Sequence, residues 1–208
     1  MASILKQHHE SKMAIKNHTL SNEYTQDPHK QWFVLRATYN RQKKAYDYIV
    51  SKGEVAYMPL HYTQKIVCGK KKRALEPYLP QLLFVYASTE KICELVEHTP
   101  ELSFLSYYYN HFKTDKNGKN PPLTISYTSM MNFIRITSID NEHIKVVAPE
   151  QCHYKSGDLV RVTEGDFTGV EGRVARVSGQ QRVVVEIEGL CIVTTAYIPS
   201  AFIEKITS

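Results

Sequence analysis

The chain has 208 residues, 42% of them hydrophobic, and a formal net charge of +5, enough for one large domain or two small ones with packed cores. No apolar run is long enough for a membrane helix and the N-terminus lacks a secretory apolar core, so no membrane role and a cytoplasmic location are expected. The cysteines Cys68, Cys93, Cys152 and Cys191 form no C-x-x-C pair and have no histidine cluster at zinc spacing, which argues against disulfides or structural zinc and leaves each as a small buried hydrophobe.

Residues 1–30 are polar and His-rich, and read as a disordered tail. Gln31 to Ala37 is aromatic and β-branched, a strand. Asn40 is expected to cap a helix whose apolar face carries Tyr46, Ile49 and Val50, with Arg41, Lys43 and Lys44 in its first turns and Gly53 at its end. Cations at a helix start oppose its dipole by a few tenths of a kcal/mol each.

Glu54 to Leu60 reads as a second strand, and His61 to Leu79 as a long polar hairpin tipped by Cys68-Gly69-Lys70-Lys71-Lys72-Arg73. Gln81 to Ala87 is a nearly continuous apolar run, as in a central strand. Ser88 or Thr89 caps a second helix with Ile92, Leu95 and Val96 inward, ended by Thr99-Pro100. Leu102 to Tyr109 is a further aromatic strand. A turn-rich loop, Lys113 to Pro122, leads to a third helix, Ser126 to Thr137, with Met130, Phe133 and Ile134 inward.

Residues 138–154 are polar, contain a short strand between His143 and Ala148, and read as a linker. From residue 155 the pattern changes to short β-branched runs between glycine turns: Leu159 to Thr163, Val170 to Val177, Arg182 to Glu188 and Leu190 to Tyr197. That suits a small barrel over 155–208. The expected organisation is an α+β domain over 31–137, with helices on an antiparallel sheet, followed by this barrel.

Charge divides unevenly. Gln31 to Phe112 holds eleven Lys/Arg against seven Asp/Glu, whereas Lys155 to Ser208 holds six against seven. Contact with nucleic acid is therefore expected on the front half.

Lys155 to Val177, KSGDLVRVTEGDFTGVEGRVARV, resembles the KOW motif, with Gly157, Asp158, Gly165, Phe167, Gly169 and Gly172 at its turns and its close strand approach. Trp32-Phe33-Val34-Leu35, the segment Cys68 to Val85 and Thr99 to Leu105 resemble the NusG N-terminal domain. The family's aromatic-Pro-Gly-aromatic step before the central strand is Leu79-Pro80-Gln81-Leu82 here. Within that family the chain is similar to specialised paralogues, RfaH and the UpxY antiterminators of Bacteroides capsular polysaccharide operons, and the stretches Phe133 to Glu150 and Val183 to Ile206 resemble the UpxY proteins specifically.

The sequence has no P-loop and no G-x-S-x-G elbow, and its histidines are scattered, so no enzyme, cofactor or metal is expected. The resemblance implies a transcription elongation and antitermination factor that binds RNA polymerase. It implies that Trp32, Phe33, Leu79, Leu82 and Phe84 meet the β′ clamp helices; packing in the domain core is the competing reading of each. It implies that Arg41 and Lys44 approach non-template DNA, with Lys43 beside them and Tyr39 and Tyr48 available to stack on bases. Lys70, Lys71, Lys72 and Arg73 complete the basic set, whose other reading is a solvated charged face. Nascent leader RNA is the alternative nucleic acid, and the KOW domain is left to contact a ribosome or another factor. A different function class, a KOW-containing RNA- or ribosome-binding protein, requires a basic footprint that the near-neutral back half lacks.

Overall fold

In the computed structural model the described residues are 25–148, 157–177 and 179–206, without the side chain of Val67. Cys152 and most of the expected tail lie outside them. In chain order the elements are β1 (Gln31–Ala37), α1 (Gln42–Ser51), β2 (Val55–Tyr57), β3 (Leu60–Val67), β4 (Lys70–Pro77), β5 (Leu82–Ala87), α2 (Thr89–Glu97) and β6 (Leu105–Tyr107). There follow β7 (Thr124–Ile125), α3 (Tyr127–Thr137), β8 (Lys145–Val147), β9 (Leu159–Val162), β10 (Glu171–Val177), β11 (Gln180–Ile187), β12 (Cys191–Thr194) and β13 (Ile203–Lys205). None of the described helices is long and apolar enough to cross a membrane.

The described residues form two compact units. The first is the chain up to Leu60 with Pro77–Thr124; the second is His61–Glu76 with Ile125 onward.

In the first unit the strand order is β2-β5-β1-β6, with antiparallel pairing throughout. Side chains alternate across the sheet, as strand geometry requires. Phe33, Leu35, Ala37, Leu83, Val85 and Ala87 form one core with Ala45, Tyr46 and Ile49 of α1 and Ile92 and Leu95 of α2. Trp32, Val34, Phe84 and Tyr86 occupy the other face and are also buried. On that face the cross-strand partners Trp32 and Tyr86 bring their rings to 5.3 Å, and Tyr57 and Phe84 to 6.5 Å.

The helix starts differ from expectation at one end. Ser88 caps α2, its hydroxyl accepting from the Lys91 amide, and Ser126 does the same for Ser129 in α3. Asn40 does not cap α1. Tyr39 and Asn40 both take left-handed φ, 56° and 54°, and Arg41 stands at the cap with no side-chain cap bond. Val50, expected inward, is exposed. Residues 25–30, expected in the tail, fold back: the Asp27 amide donates to the Tyr86 hydroxyl at 2.7 Å.

The second unit contains the β3–β4 hairpin, which is a separate two-stranded ribbon. Its turn is Cys68-Gly69, with φ of 51° and 73°, the pairing of positive values that tight hairpins favour. The same unit contains α3, which was expected in the first domain. Arg135 of α3 donates to the Gly169 carbonyl at 3.0 Å, and the Asn132 carboxamide accepts from the Glu171 amide at 3.1 Å. The strand-rich region has order β13-β9-β10-β11-β12-β8. Its edge strand β8 comes from the stretch read as linker. Buried Arg182 ties that stretch down, donating to the carbonyls of His143 at 2.6 Å and Thr195 at 3.2 Å.

Gly172 of β10 stands tight against Val183, Val184 and Val185 of β11. A Cβ there would lie 2.5 Å from the Val184 carbonyl oxygen and 2.8 Å from Val183 Cγ1. Backbone cannot yield as a side-chain tip can, so Gly172→Ala is expected to destabilise this unit by about 1–3 kcal/mol. Urea unfolding checks this: an unchanged midpoint would mean that the ladder has room the geometry denies.

Candidate nucleic-acid and partner interface

The apolar set divides by strand alternation. Phe33 points into the helix-covered core, whereas Trp32, Leu82 and Phe84 share the opposite face. Trp32, Phe33 and Phe84 are 0%, 5% and 0% exposed. The five residues therefore do not form one surface, and Phe33 in particular is core. Leu79 and Leu82 are half-buried.

These two leucines close a tight turn, with the Leu82 amide donating to the Leu79 carbonyl at 3.3 Å. Gln81 takes φ of 66° at the corner, the position for which glycine is the usual residue. The turn thus keeps its form without glycine, at a strain on the order of 1–2 kcal/mol. Gln81 is held on several sides. Its carbonyl accepts from the Ala37 amide at 2.7 Å, and its carboxamide oxygen accepts from Arg36 at 3.4 Å. Buried Gln42 bridges the same corner when its amide donates to the Asn40 carbonyl at 3.2 Å and accepts from the Gln81 amide at 3.3 Å. The apolar turn and the cationic start of α1 are therefore adjoining parts of one hydrogen-bonded corner.

At that helix start the cations have different commitments. The Arg41 guanidinium lies over the Phe104 ring at 4.1 Å and near the Tyr39 ring at 5.4 Å. It also donates to the Thr38 carbonyl and hydroxyl, both at 3.3 Å. Lys44 Nζ is 5.5 Å from the Phe104 centroid. Lys43 faces away and pairs with Asp47 at 2.8 Å, an exposed pair worth little. Tyr39 is 85% exposed, whereas Tyr48 is half-buried against the core beneath Lys52. Arg41 and Lys44 thus gather at Phe104, a platform that the sequence reading did not single out, with Tyr39 beside Arg41.

On the hairpin of the second unit, Lys70, Lys71 and Lys72 are exposed. Arg73 is engaged: its guanidinium stacks on Tyr62 at 3.7 Å and pairs with Asp140 at 2.7 Å. It acts first as a strut of its own unit. The motif residues of the strand-rich region are structural in the same way. Phe167 is buried, the Gly157 amide donates to the Val174 carbonyl at 2.9 Å, and Asp158 pairs with Lys205 at 2.6 Å. Gly165 and Gly169 bracket the loop with φ of 83° and 81°. Cys191 is buried, and burial pushes its thiol up to about 12. Cys68, also expected inside, is exposed at the hairpin turn.

Because Arg41 stacks and donates within its own unit, Arg41→Ala is expected to cost about 1 kcal/mol of folding stability. Lys44→Ala should stay within about 0.5 kcal/mol of the parent. Urea unfolding of both variants separates the structural cation from the one available to a ligand; equal effects would remove the distinction.

Residues 30–114 match the family model described as transcription termination factor nusG, and residues 156–186 match the KOW motif. The two matches together span more than half of the chain. No curated protein gives a significant match. Among solved structures, one described as domain interaction in Thermotoga maritima NusG is 16% identical, with 86% of this chain and 98% of that one covered at a TM-score of 0.41. With a NusG-type domain ahead of a KOW motif, the chain belongs to the NusG family of transcription factors.

Proposed function

We propose that this protein is an elongation and antitermination factor that rides on RNA polymerase and promotes readthrough of a long operon, one for capsular polysaccharide synthesis. Family membership supports the elongation role and engagement of polymerase and nucleic acid in general. The reading is one of binding rather than catalysis, in the cytoplasm. The observation that carries it further is the corner at Gln81. There the half-buried Leu79 and Leu82 adjoin the Tyr39, Arg41 and Lys44 group through the Ala37–Gln81 hydrogen bond. An apolar step beside a cation–aromatic group suits a ligand with both kinds of surface: protein helices next to exposed single-stranded DNA.

In this reading Leu82, with Leu79, meets the β′ clamp helices. Lys44 and the Tyr39 ring meet the non-template strand, and Lys70, Lys71 and Lys72 supply phosphate contacts. Phosphate contacts position a strand without reading its sequence.

Leu82→Asp is expected to weaken polymerase binding about 30-fold or more, the level of an interfacial hot spot, while the thermal transition persists. Binding is measured by pull-down with core polymerase and by titration. Loss of the transition would assign Leu82 to the core; recovery of ribosomes in place of polymerase would favour the ribosome-binding alternative.

Replacing Lys70, Lys71 and Lys72 together with Ala should lower the slope of log affinity against log salt for single-stranded DNA by about two units, at roughly 0.7 per contact. Stability should hardly change, since these side chains are exposed. An unaltered slope would return them to solvated surface. Mapping of genomic occupancy, with and without the chain's own operon leader, tests the operon assignment.

A further inference from the structure

The C-terminal end of α2 gathers three different ligand atoms. Cys93 Sγ, a Glu97 carboxylate oxygen and a His98 ring nitrogen all lie within 4.8 Å of one another. Cys93 and Glu97, at i and i+4, share one face of the last turn, and His98 follows at the C-cap with non-helical φ of −121°. We propose that Cys93, Glu97 and His98 bind a divalent ion of the zinc class.

Three observations lead there. The first is the donor set. A thiolate, an imidazole and a carboxylate are the three side-chain types that zinc accepts, and the sulfur selects against magnesium and calcium. Adjacent ligand atoms around tetrahedral zinc are on the order of 3.5 Å apart, given bonds of about 2.0–2.3 Å. Closing from the observed spacing takes only side-chain rotation, since Glu97 and His98 are exposed and Cys93 is half-exposed. Solvent has access to the fourth position.

The second is the field at that end of the helix. The C-terminal turn of α2 carries no basic residue, although the helix dipole favours a cation there. Glu94 pairs with Lys91 at 2.8 Å, which leaves Glu97 facing the negative end. A bound cation would supply the missing charge.

The third is a supporting contact. The Tyr107 hydroxyl, on neighbouring strand β6, donates to Glu97 Oε1 at 3.5 Å. Metal-binding carboxylates are commonly oriented by such a hydrogen bond from outside the ligand set. The backbone is fixed as well: the His98 amide and the Thr99 hydroxyl both donate to the Glu94 carbonyl, at 3.0 and 2.9 Å.

The test is titration of the full chain with Co²⁺ under reducing conditions. A thiolate–cobalt charge-transfer band reports sulfur ligation, which scattered histidines cannot produce. One equivalent of this band is expected, bleached by Zn²⁺, absent in Cys93→Ser and at least tenfold weaker in affinity in His98→Ala. His98 is exposed, so that variant tests the site even if Cys93→Ser folds poorly. Zn²⁺ should also slow alkylation of the Cys93 peptide by iodoacetamide and leave the Cys68 peptide unprotected. Absence of the band, a band that survives Cys93→Ser, or equal protection of Cys68 and Cys93 would overturn the assignment.

Discussion

Strands β1 and β5 pair antiparallel from Gln31 with Ala87 to Arg36 with Leu82, and between those ends the side chains on both faces are buried. Alternate residues pack against α1 and α2, and their neighbours form the aromatic face of Trp32, Phe84 and Tyr86. Burying a large side chain contributes about 1.5–3 kcal/mol relative to leaving it exposed, so a doubly buried strand pair dominates the cohesion of its unit. It also dictates where contact with a partner is feasible. The middle of the sheet is committed, and accessible chemistry is pushed to the end where β1 finishes and β5 starts: the Leu79–Leu82 turn and, beside it, Tyr39, Arg41 and Lys44.

The same logic separates the cations. Arg41 and Arg73 each combine a ring stack with a hydrogen bond or ion pair inside their own unit. Such arginines lose packing as well as charge when truncated. Lys44 and Lys70 to Lys72 have flexible, solvated ammonium groups whose interactions fall off within about 8 Å at physiological salt. A count of basic residues treats the two kinds alike, although only the second kind is fully available to phosphates.

Much of this was readable from periodicity. The bounds of β1 emerge unchanged from the aromatic and β-branched run, and the inward residues Met130, Phe133 and Ile134 of α3 follow from their spacing. Gly172 was recognisable as a close approach because glycine inside a strand is otherwise unfavourable. What was hidden depends on partners distant in the chain. Nothing in the local pattern around Arg73 announces Asp140, nor does the start of α1 announce Phe104. Phe33 could be joined to Trp32 in one surface only while alternation was set aside. Asn40 is a good cap residue by type, but the tandem left-handed turn moved the cap to Arg41. The placement of α3 was misjudged because an amphipathic helix declares that it has a buried side and not which sheet it covers.

The pairing of β1 with β5 has a consequence during synthesis. Strands β10 and β11 are consecutive in the chain and can pair almost as soon as they exist, whereas β1 must wait for a partner far downstream. At about 5–20 residues per second, the roughly fifty intervening residues take on the order of 3–10 s to be made. Through that interval Trp32-Phe33-Val34-Leu35 is a newborn hydrophobic segment with neither neighbouring strand yet translated. The segment that later anchors the unit is therefore the one most dependent on holding by the ribosome surface or by chaperones, and the tempo of translation between β1 and β5 sets how long that dependence lasts.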